Sequence, residues 1–169
     1  MADLMGLLYR SDDHGTVELR RILPVAPADL WSELTDPERL AAWFAPVTGD
    51  LREGGDYRIA FEEDDDEPGS ASWGRIEQCE RGRGLRLTWQ SAEDEPAPST
   101  VQVTLRAVDG GTRLILVHSG LTHGEDVGHA AGWEVYLRDL AAHLEGTPAE
   151  EGDWFERWER HRAAYEATL

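Results

Sequence analysis

The chain has 169 residues, enough for one domain that buries a core and still encloses a pocket. Its 34 acidic residues outnumber 16 basic ones and give a formal net charge of −18, so phosphate backbones and anionic lipid surfaces would repel it. The composition therefore disfavours a role in binding nucleic acid or membranes.

The N-terminus and the cysteine content bear on location. Cys79 is the only cysteine, so no intramolecular disulfide can form, whereas secreted domains of this size more often carry paired cysteines. The first 13 residues lack a cationic start, and their short apolar stretch is interrupted by Arg10. No stretch reaches the roughly 18 apolar residues that span a bilayer. We expect a cytoplasmic protein without signal peptide or anchor.

The first regular elements are predicted between residues 16 and 46. Apolar and polar residues alternate from Thr16 to Leu23, the period of a half-buried strand. Two short helices follow between Pro27 and Pro46. The second has Pro37 in its first turn, with Thr35 or Asp36 as its cap.

A run of strands occupies the middle of the chain. Its last two members are predicted to be a hairpin, because Asp109-Gly110-Gly111 supplies residues that adopt positive φ in a tight turn. The predicted strands are Val47–Leu51, Tyr57–Phe61, Ala71–Glu80, Leu85–Gln90, Val101–Val108 and Arg113–His118.

A long amphipathic helix is predicted after these strands. Trp133, Leu137, Leu140 and Leu144 are spaced by four, three and four residues, which places them in one apolar stripe. Gly146 is its expected C-terminal cap. Strands followed by a long helix indicate an α+β plan in which the sheet covers this stripe.

The last 23 residues hold a second amphipathic helix. Asp153 is its predicted N-cap, and Trp154, Trp158, His161 and Tyr165 share one helical face. This aromatic face must be covered. We expect it to pack onto its own domain, with a homodimer contact through this helix as the alternative.

Three segments resemble one family when taken together. They are PADLWSELTDPERLAAWFAP with the later GGDYRIAF, then GTRLILVHSGL, then GWEVYLRDLAAHLE. In this order and spacing they resemble the SRPBCC (START and birch-pollen-allergen-like) superfamily, and within it the homologues of the activator of the heat-shock-protein ATPase. The resemblance spans about residues 16 to 145.

The resemblance implies a helix-grip fold: a curved antiparallel β-sheet wrapped around a long C-terminal helix, with an apolar cavity that two short helices close at one end. The extra C-terminal helix lies beyond the resembling region. We accordingly divide the chain into an N-terminal segment (1–15), a helix-grip domain (16–146) and an amphipathic helical extension (147–169).

One stretch departs from the family pattern. The run EEDDDE, residues 62–67, is longer and more acidic than a family hairpin would need. It lacks the alternating ligands and central glycine of a calcium loop, so a solvated hairpin tip is the favoured interpretation.

The helix-grip plan and strand periodicity together suggest a ligand site. Residues at alternate strand positions and on the helix stripe would face the cavity, although the same residues could simply fill a core. The predicted ligand-binding residues are Trp43, Phe44, Tyr57, Ile59, Phe61, Trp73, Trp89, Leu116, His118, Trp133, Tyr136, Leu137 and Leu140.

His118 is the only candidate for catalysis. A buried imidazole at a strand end could act as acid or base near neutral pH, or it could be a structural histidine bonded to its neighbours. His123 and His129 lie near it in sequence, but gaps of five and six residues do not match zinc-site spacings. We predict no metal and no cofactor.

These observations favour a binding protein for a small hydrophobic or aromatic molecule: a carrier, a sensor or a resistance-type protein. The alternative is an enzyme like the polyketide cyclases and aromatases, using His118 with Tyr57 or Tyr136. Two further possibilities come from the resemblance. Chaperone regulation depends on an additional N-terminal domain in eukaryotic relatives, and self-sacrificing resistance is known within the superfamily.

Overall fold

The computed structural model of the chain describes residues 5–61, 71–92 and 97–169, so the acidic run 62–67 lies outside the described residues. Within these ranges the chain forms eight strands and four helices. They are, in chain order, β1 (Leu7–Arg10), β2 (Gly15–Leu23), α1 (Pro27–Thr35), α2 (Pro37–Trp43), β3 (Val47–Gly49), β4 (Asp56–Ala60), β5 (Ala71–Glu80), β6 (Gly84–Ser91), β7 (Ser99–Val108), β8 (Gly111–Leu121), α3 (Glu125–Glu145) and α4 (Trp154–Glu166).

All eight strands form one antiparallel sheet in the order β1-β2-β8-β7-β6-β5-β4-β3. From β3 to β8 each strand pairs with the next, and the sheet then returns to β2, which pairs with β8 along its whole length. The β7–β8 hairpin closes with Val108 opposite Gly111, and Gly110 adopts a φ of 87° in the turn. The predicted hairpin is confirmed.

The long helix α3 lies against the sheet, as the helix-grip prediction requires. It contacts β1, β2 and β8. On its stripe Leu137 and Leu140 are buried, and α3 ends where Gly146 adopts a left-handed φ of 66°. The curved sheet around a long helix confirms the α+β helix-grip fold.

The two short helices begin where the sequence indicated. Pro27 and Pro37 each occupy a first helical position, and the Asp36 side chain accepts hydrogen bonds from the backbone N–H groups of Glu38 and Arg39. Asp36 rather than Thr35 is therefore the cap of α2. Both helices lie between β2 and β3 in the chain and cover one end of the sheet's concave side, where α1 contacts β7 and β8.

Strand β1 was not predicted. It is a four-residue edge strand paired with β2, and most of its residues are exposed. Leu7, Leu8 and Tyr9 are consecutive apolar residues, so the alternation that marks a half-buried strand is missing.

Helix α4 begins with the predicted cap. The Asp153 side chain accepts from the backbone N–H of Glu156, whose carboxylate accepts from the backbone N–H of Asp153, a capping box. The helix packs along α3, and Tyr165 is completely buried. In the described part of the chain, no helix combines the length and apolar character that crossing a membrane requires.

Candidate functional site

Two cavities lie between the sheet and the helices. The larger has a volume of about 620 Å³ and is bounded by α3, α4 and parts of β5 and β6. The smaller, about 320 Å³, lies deeper, under α1 and α2 and against the concave face of the sheet. Four aromatic residues, Trp43, Phe44, Trp89 and Trp133, border both cavities and separate them.

The larger cavity is mostly aromatic. Its rings come from α2, the sheet, α3 and α4, so elements distant in sequence converge on it. Its bordering aromatic residues are Trp43, Phe44, Phe61, Trp89, Trp133, Tyr136, Trp154, Phe155 and Trp158. Rigid aromatic side chains offer large apolar faces at little cost in conformational entropy, which suits a flat ligand.

Phe44 is central to this wall. Its ring centroid lies 4.6 Å from that of Tyr136 in an edge-to-face arrangement, and 6.1 Å from that of Trp133, nearly parallel to it. Phe61 meets Phe44 edge-on at 5.8 Å. Such packing fixes the ring orientations and leaves apolar faces toward the cavity.

Helix α4 supplies a third of the aromatic wall. Trp154 and Trp158, four residues apart, lie over Gly128 and Gly132, which are also four apart on α3: a Cβ at either glycine would be 3.6 or 3.9 Å from the nearest indole carbon. The Nε1 of Trp158 donates to the Gly128 carbonyl at 2.9 Å. Both distances are ordinary van der Waals contacts, so the small residues leave room for the indoles to pack on α3.

An ion pair between α4 and α3 holds α4 in this position. Arg157, only 7% exposed, forms a two-pronged ion pair with Asp139 of α3. Asp139 borders the larger cavity, so its carboxylate is already engaged by the protein at the cavity edge.

The polar border of the larger cavity is sparse. It comprises Ser72, Ser91, His129 and the carboxylates of Glu125 and Asp139. No lysine or arginine of the described residues borders either cavity. The site therefore offers apolar faces, a few neutral polar groups and some negative charge.

The smaller cavity is mainly aliphatic and is formed by inward residues of β4 to β8. Tyr57 closes one side, and its hydroxyl donates to the Thr88 carbonyl at 2.6 Å, while burial raises its pKa. Cys79, exposed and without a disulfide, lies at the border of this cavity. Burial and the nearby Glu53 carboxylate raise the pKa of the Cys79 thiol.

His118 lies behind Trp89 and Trp133, which border the larger cavity. Its hydrogen bonds determine its tautomer. The Nε1 of Trp133, which can only donate, contacts Nδ1 of His118 at 3.0 Å. The proton of the neutral imidazole therefore sits on Nε2, which donates to Ser99 Oγ at 2.8 Å. Ser99 in turn donates to the Trp89 carbonyl at 3.2 Å.

This chain of bonds leaves His118 no free lone pair. The side chain is completely buried, and burial, with a smaller contribution from His129, lowers the pKa of His118 well below its ordinary value. Because both nitrogens are bonded to the protein and the ring stays neutral, His118 has the features of a structural histidine.

Of the thirteen predicted ligand-binding residues, ten border a cavity, and ligand contact by those ten stays a prediction. The expectation is corrected for three. Trp73 lies opposite Arg58 on the outer face of the sheet, because Ser72 beside it faces inward. His118 is enclosed behind Trp89 and Trp133, and Leu140 is fully packed in the core between α3 and the sheet.

Sequence reasoning missed the part that α4 plays in the cavity. Trp154, Phe155 and Trp158 border it, although the tail helix was expected only to pack its aromatic face onto its own domain, with a homodimer contact as the alternative. A signal was present: the four-residue spacing of Trp154 and Trp158 matches that of Gly128 and Gly132 in α3. Of the possible cluster of His118, His123 and His129, His118 and His129 lie together with ring centroids 4.6 Å apart, but the described residues contain no group of three or more arranged to hold a metal ion.

The comparisons with known proteins agree with this geometry. The sequence model of the family described as Activator of Hsp90 ATPase homolog 1-like protein matches residues 24–145. No curated protein matches the chain.

Solved structures extend the likeness beyond that region. CalU16 from Micromonospora echinospora is 26% identical, with a TM-score of 0.78 over 96% of this chain and 95% of its own. DynU16, a protein in the dynemicin biosynthetic locus, is 26% identical, with a TM-score of 0.70 over 83% of this chain and 51% of its own. Protein MLL2253 from Mesorhizobium loti is 25% identical, with a TM-score of 0.68 over 79% of this chain and 98% of its own.

Proposed function

The chain belongs to the family of Activator of Hsp90 ATPase homolog 1-like proteins, and from that premise we propose that it binds a small, flat, hydrophobic molecule in the larger cavity. The observation that carries this proposal is the convergence of nine aromatic side chains on one space of about 620 Å³. That volume lies within the range of small-molecule sites, which are typically concave and mostly apolar.

The proposal is of a binding protein, a carrier, sensor or resistance-type protein, rather than an enzyme. The cyclase alternative relied on His118 with Tyr57 or Tyr136. Both nitrogens of His118 are bonded within the protein, and the hydroxyl of Tyr57 is bonded to Thr88. His129, whose ring centroid lies 4.6 Å from that of His118, borders the larger cavity, but with both of its own nitrogens bonded His118 has no free position from which to exchange a proton with a bound molecule.

One structural neighbour supports a proposal for the source of the ligand. DynU16 is a protein in a biosynthetic locus, and CalU16 matches this chain over nearly its whole length. We infer that the ligand is a product or intermediate of small-molecule biosynthesis. The cytoplasmic location, the homodimer through α4 and the division at residues 15 and 146 stay predictions.

The test is a ligand screen by thermal shift and tryptophan fluorescence against flat hydrophobic metabolites, with native mass spectrometry of each hit. A ligand that binds only the folded state raises the apparent melting temperature. A saturable hit that returns unchanged supports a binding protein, and a hit that is converted overturns it in favour of an enzyme. Silence across the panel contradicts the proposal.

Two filling variants locate the site. Ser91→Phe places a ring at the border of the larger cavity, and Val103→Phe does so in the smaller one. We expect Ser91→Phe to weaken ligand binding by about tenfold or more and Val103→Phe to weaken it less. The reverse order would place the ligand in the smaller cavity.

A further inference from the structure

The aromatic wall of the larger cavity is also a surface that attracts positive charge. The face of an aromatic ring is the negative side of its quadrupole, so several rings around one space favour a cation there. Nine aromatic side chains border this cavity. One of them already holds a cation of the protein, because the guanidinium carbon of Arg162 lies 5.5 Å from the ring centroid of Trp158. The wall is therefore suited to more than a neutral apolar molecule.

Helix α3 presents one continuous face to this cavity, and a carboxylate lies at each end of that face. The members of the face are spaced by one or three residues, which places them on the same side of a helix. They are Glu125, Gly128, His129, Gly132, Trp133, Tyr136 and Asp139. No lysine or arginine of the residues that the structure describes borders the cavity.

The two carboxylates differ in what binds them. Asp139 forms a two-pronged ion pair with Arg157, so this pair adds little net charge to the cavity. Oε2 of Glu125 accepts from the backbone N–H of Thr122 at 2.9 Å. That donor is neutral and leaves the negative charge of the carboxylate in place, and a carboxylate can accept several bonds at once. Glu125 therefore determines which sign of charge this end of the cavity favours.

Glu125 lies at the same end of the cavity as Trp158. The indole of Trp158 packs over Gly128 and donates to its carbonyl, and Gly128 is three residues from Glu125 on the same helical face. Glu125 is itself partly exposed. Phe155, next to Trp158 in the wall, is 61% exposed, so this side of the cavity is open to solvent. A charged group bound there would keep part of its hydration.

We infer that the ligand is a cation: a positively charged nitrogen within or attached to its flat apolar skeleton, lying against the aromatic wall beside Glu125. This inference rests on the proposed function, because it assigns the charge of the molecule bound in the proposed site. Removing a charge from water is costly, and the ring faces together with the carboxylate offset that cost for a cation. For an anion the same groups are repulsive.

A matched pair of probes isolates the charge. 1-Methylquinolinium and 1-methylnaphthalene have the same shape and the same number of heavy atoms, and they differ by a cationic nitrogen in place of a carbon. A purely apolar cavity would prefer 1-methylnaphthalene, because the cation loses hydration on binding. We expect 1-methylquinolinium to bind about tenfold more tightly, measured by tryptophan fluorescence quenching. 1-Naphthoate, which is anionic, should bind more weakly than either.

Two further measurements assign the preference to Glu125. Glu125→Gln keeps an acceptor for Thr122 and removes the charge, so the ratio of the two affinities should fall by about fivefold. Glu145→Gln is the matched control, because Glu145 is exposed on the same helix and borders neither cavity. In the wild-type protein, raising the salt concentration to about 0.5 M should weaken the binding of 1-methylquinolinium and not that of 1-methylnaphthalene. The salt measurement stands even if Glu125→Gln fails to fold.

The outcomes separate the inference from the function. If 1-methylnaphthalene binds more tightly than 1-methylquinolinium, the inference is overturned while ligand binding stands. Equal effects of Glu125→Gln and Glu145→Gln would attribute the preference to the overall charge of the chain and overturn the assignment to this site. If neither probe binds but the metabolite screen yields a ligand, a neutral or anionic hit overturns the inference and a cationic one supports it. If the screen is silent as well, the proposed function fails and the inference fails with it.

Discussion

The hydroxyl of Tyr165 donates a 2.8 Å hydrogen bond to Oε1 of Glu134, and both side chains are completely buried. The same carboxylate accepts from the backbone N–H of Gly6 at 2.8 Å and from Nη2 of Arg21 at 2.6 Å. Glu134 thus joins α4, the N-terminal segment and β2 to α3. Since α4 carries Trp154 and its neighbours over the larger cavity, this carboxylate indirectly positions the cavity wall.

Removing the Tyr165 hydroxyl should loosen α4. Burial, and then the Glu134 carboxylate, raise the pKa of Tyr165, so the phenol stays protonated and donates throughout the usual pH range. We expect Tyr165→Phe to lower the free energy of unfolding by about 1.5–3 kcal/mol, the range for a hydrogen bond to a charged group. Urea denaturation measures this loss, and faster hydrogen exchange in α4 would locate it.

Tyr9→Phe is the matched control for that substitution. Tyr9 is 51% exposed, so the loss of its hydroxyl should change the free energy of unfolding by less than about 0.5 kcal/mol. Equal stabilities of Tyr165→Phe and the wild-type protein would show that the bond to Glu134 does not hold α4.

A substitution at Phe155 should change ligand affinity much more than it changes the stability of the fold. It borders the larger cavity, yet 61% of it is exposed, so the folded protein gains little from its burial. We expect Phe155→Ala to weaken the binding of a ligand found in the screen by about tenfold while lowering the free energy of unfolding by less than about 1 kcal/mol. Fluorescence titration and urea denaturation give the two values.

Leu169→Ala provides the comparison for Phe155→Ala, because Leu169 is 63% exposed and borders neither cavity. It should leave both quantities unchanged. An unaltered affinity in Phe155→Ala would mean that the ligand does not contact α4 at this position.

Gly132 tests how closely α4 approaches α3. A methyl group there would lie 3.9 Å from the Trp154 ring, which is an ordinary van der Waals distance. Glycine within a helix is less favourable than alanine, so Gly132→Ala should raise the free energy of unfolding by about 0.5–1 kcal/mol, measured with urea. Gly15→Ala is the opposite case, because its methyl group would clash with the side chain of Asp126 and should destabilise the protein. A destabilised Gly132→Ala would indicate that the Trp154 ring lies too close to Gly132 to accommodate a methyl group.

The sequence predicted the fold well wherever the signal was local. The hairpin at Gly110, the cap at Asp153 and the end of α3 at Gly146 follow from single residues with special backbone preferences. Where the end of a strand depends on pairing with strands distant in sequence, the prediction was incomplete. The predicted last strand ended at His118 before the Ser119-Gly120 step, but β8 continues to Leu121 because Ser119 pairs with neighbouring strands on both sides.

The sequence predicted many of the residues at the candidate site, but it did not predict how they are arranged in space. Strand periodicity identified inward residues such as Tyr57 and Trp89, because alternation depends on neighbours in sequence. The state of His118 depends on Trp133 and Ser99, whose distances from it no periodicity specifies. Docking of α4 onto α3 likewise needs a three-dimensional match between two pairs of residues.

The last prediction concerns pH and follows from the neutral state of His118. Its pKa in the folded protein lies well below the ordinary value of 6.5, so below that pH the unfolded chain binds a proton that the folded protein rejects. Stability should therefore fall as the pH decreases below about 6.5, with no contribution from this group at higher pH. His118→Asn keeps an acceptor for the Trp133 indole but cannot titrate. Although this variant should be less stable at pH 7, its difference in stability from the wild-type protein should narrow between pH 6.5 and 5 in urea denaturation.

His14→Asn is the control for the exchange of histidine for asparagine itself, because His14 is exposed. A constant gap between His118→Asn and the wild-type protein across this pH range would mean that the folded protein accepts the proton at His118. To hold that proton, Nδ1 of His118 would have to lose the hydrogen bond from Trp133, or the ring would have to turn toward the cavity. In that case acid–base chemistry by His118 would again be a candidate, since a group that titrates inside the fold can exchange a proton with a bound molecule.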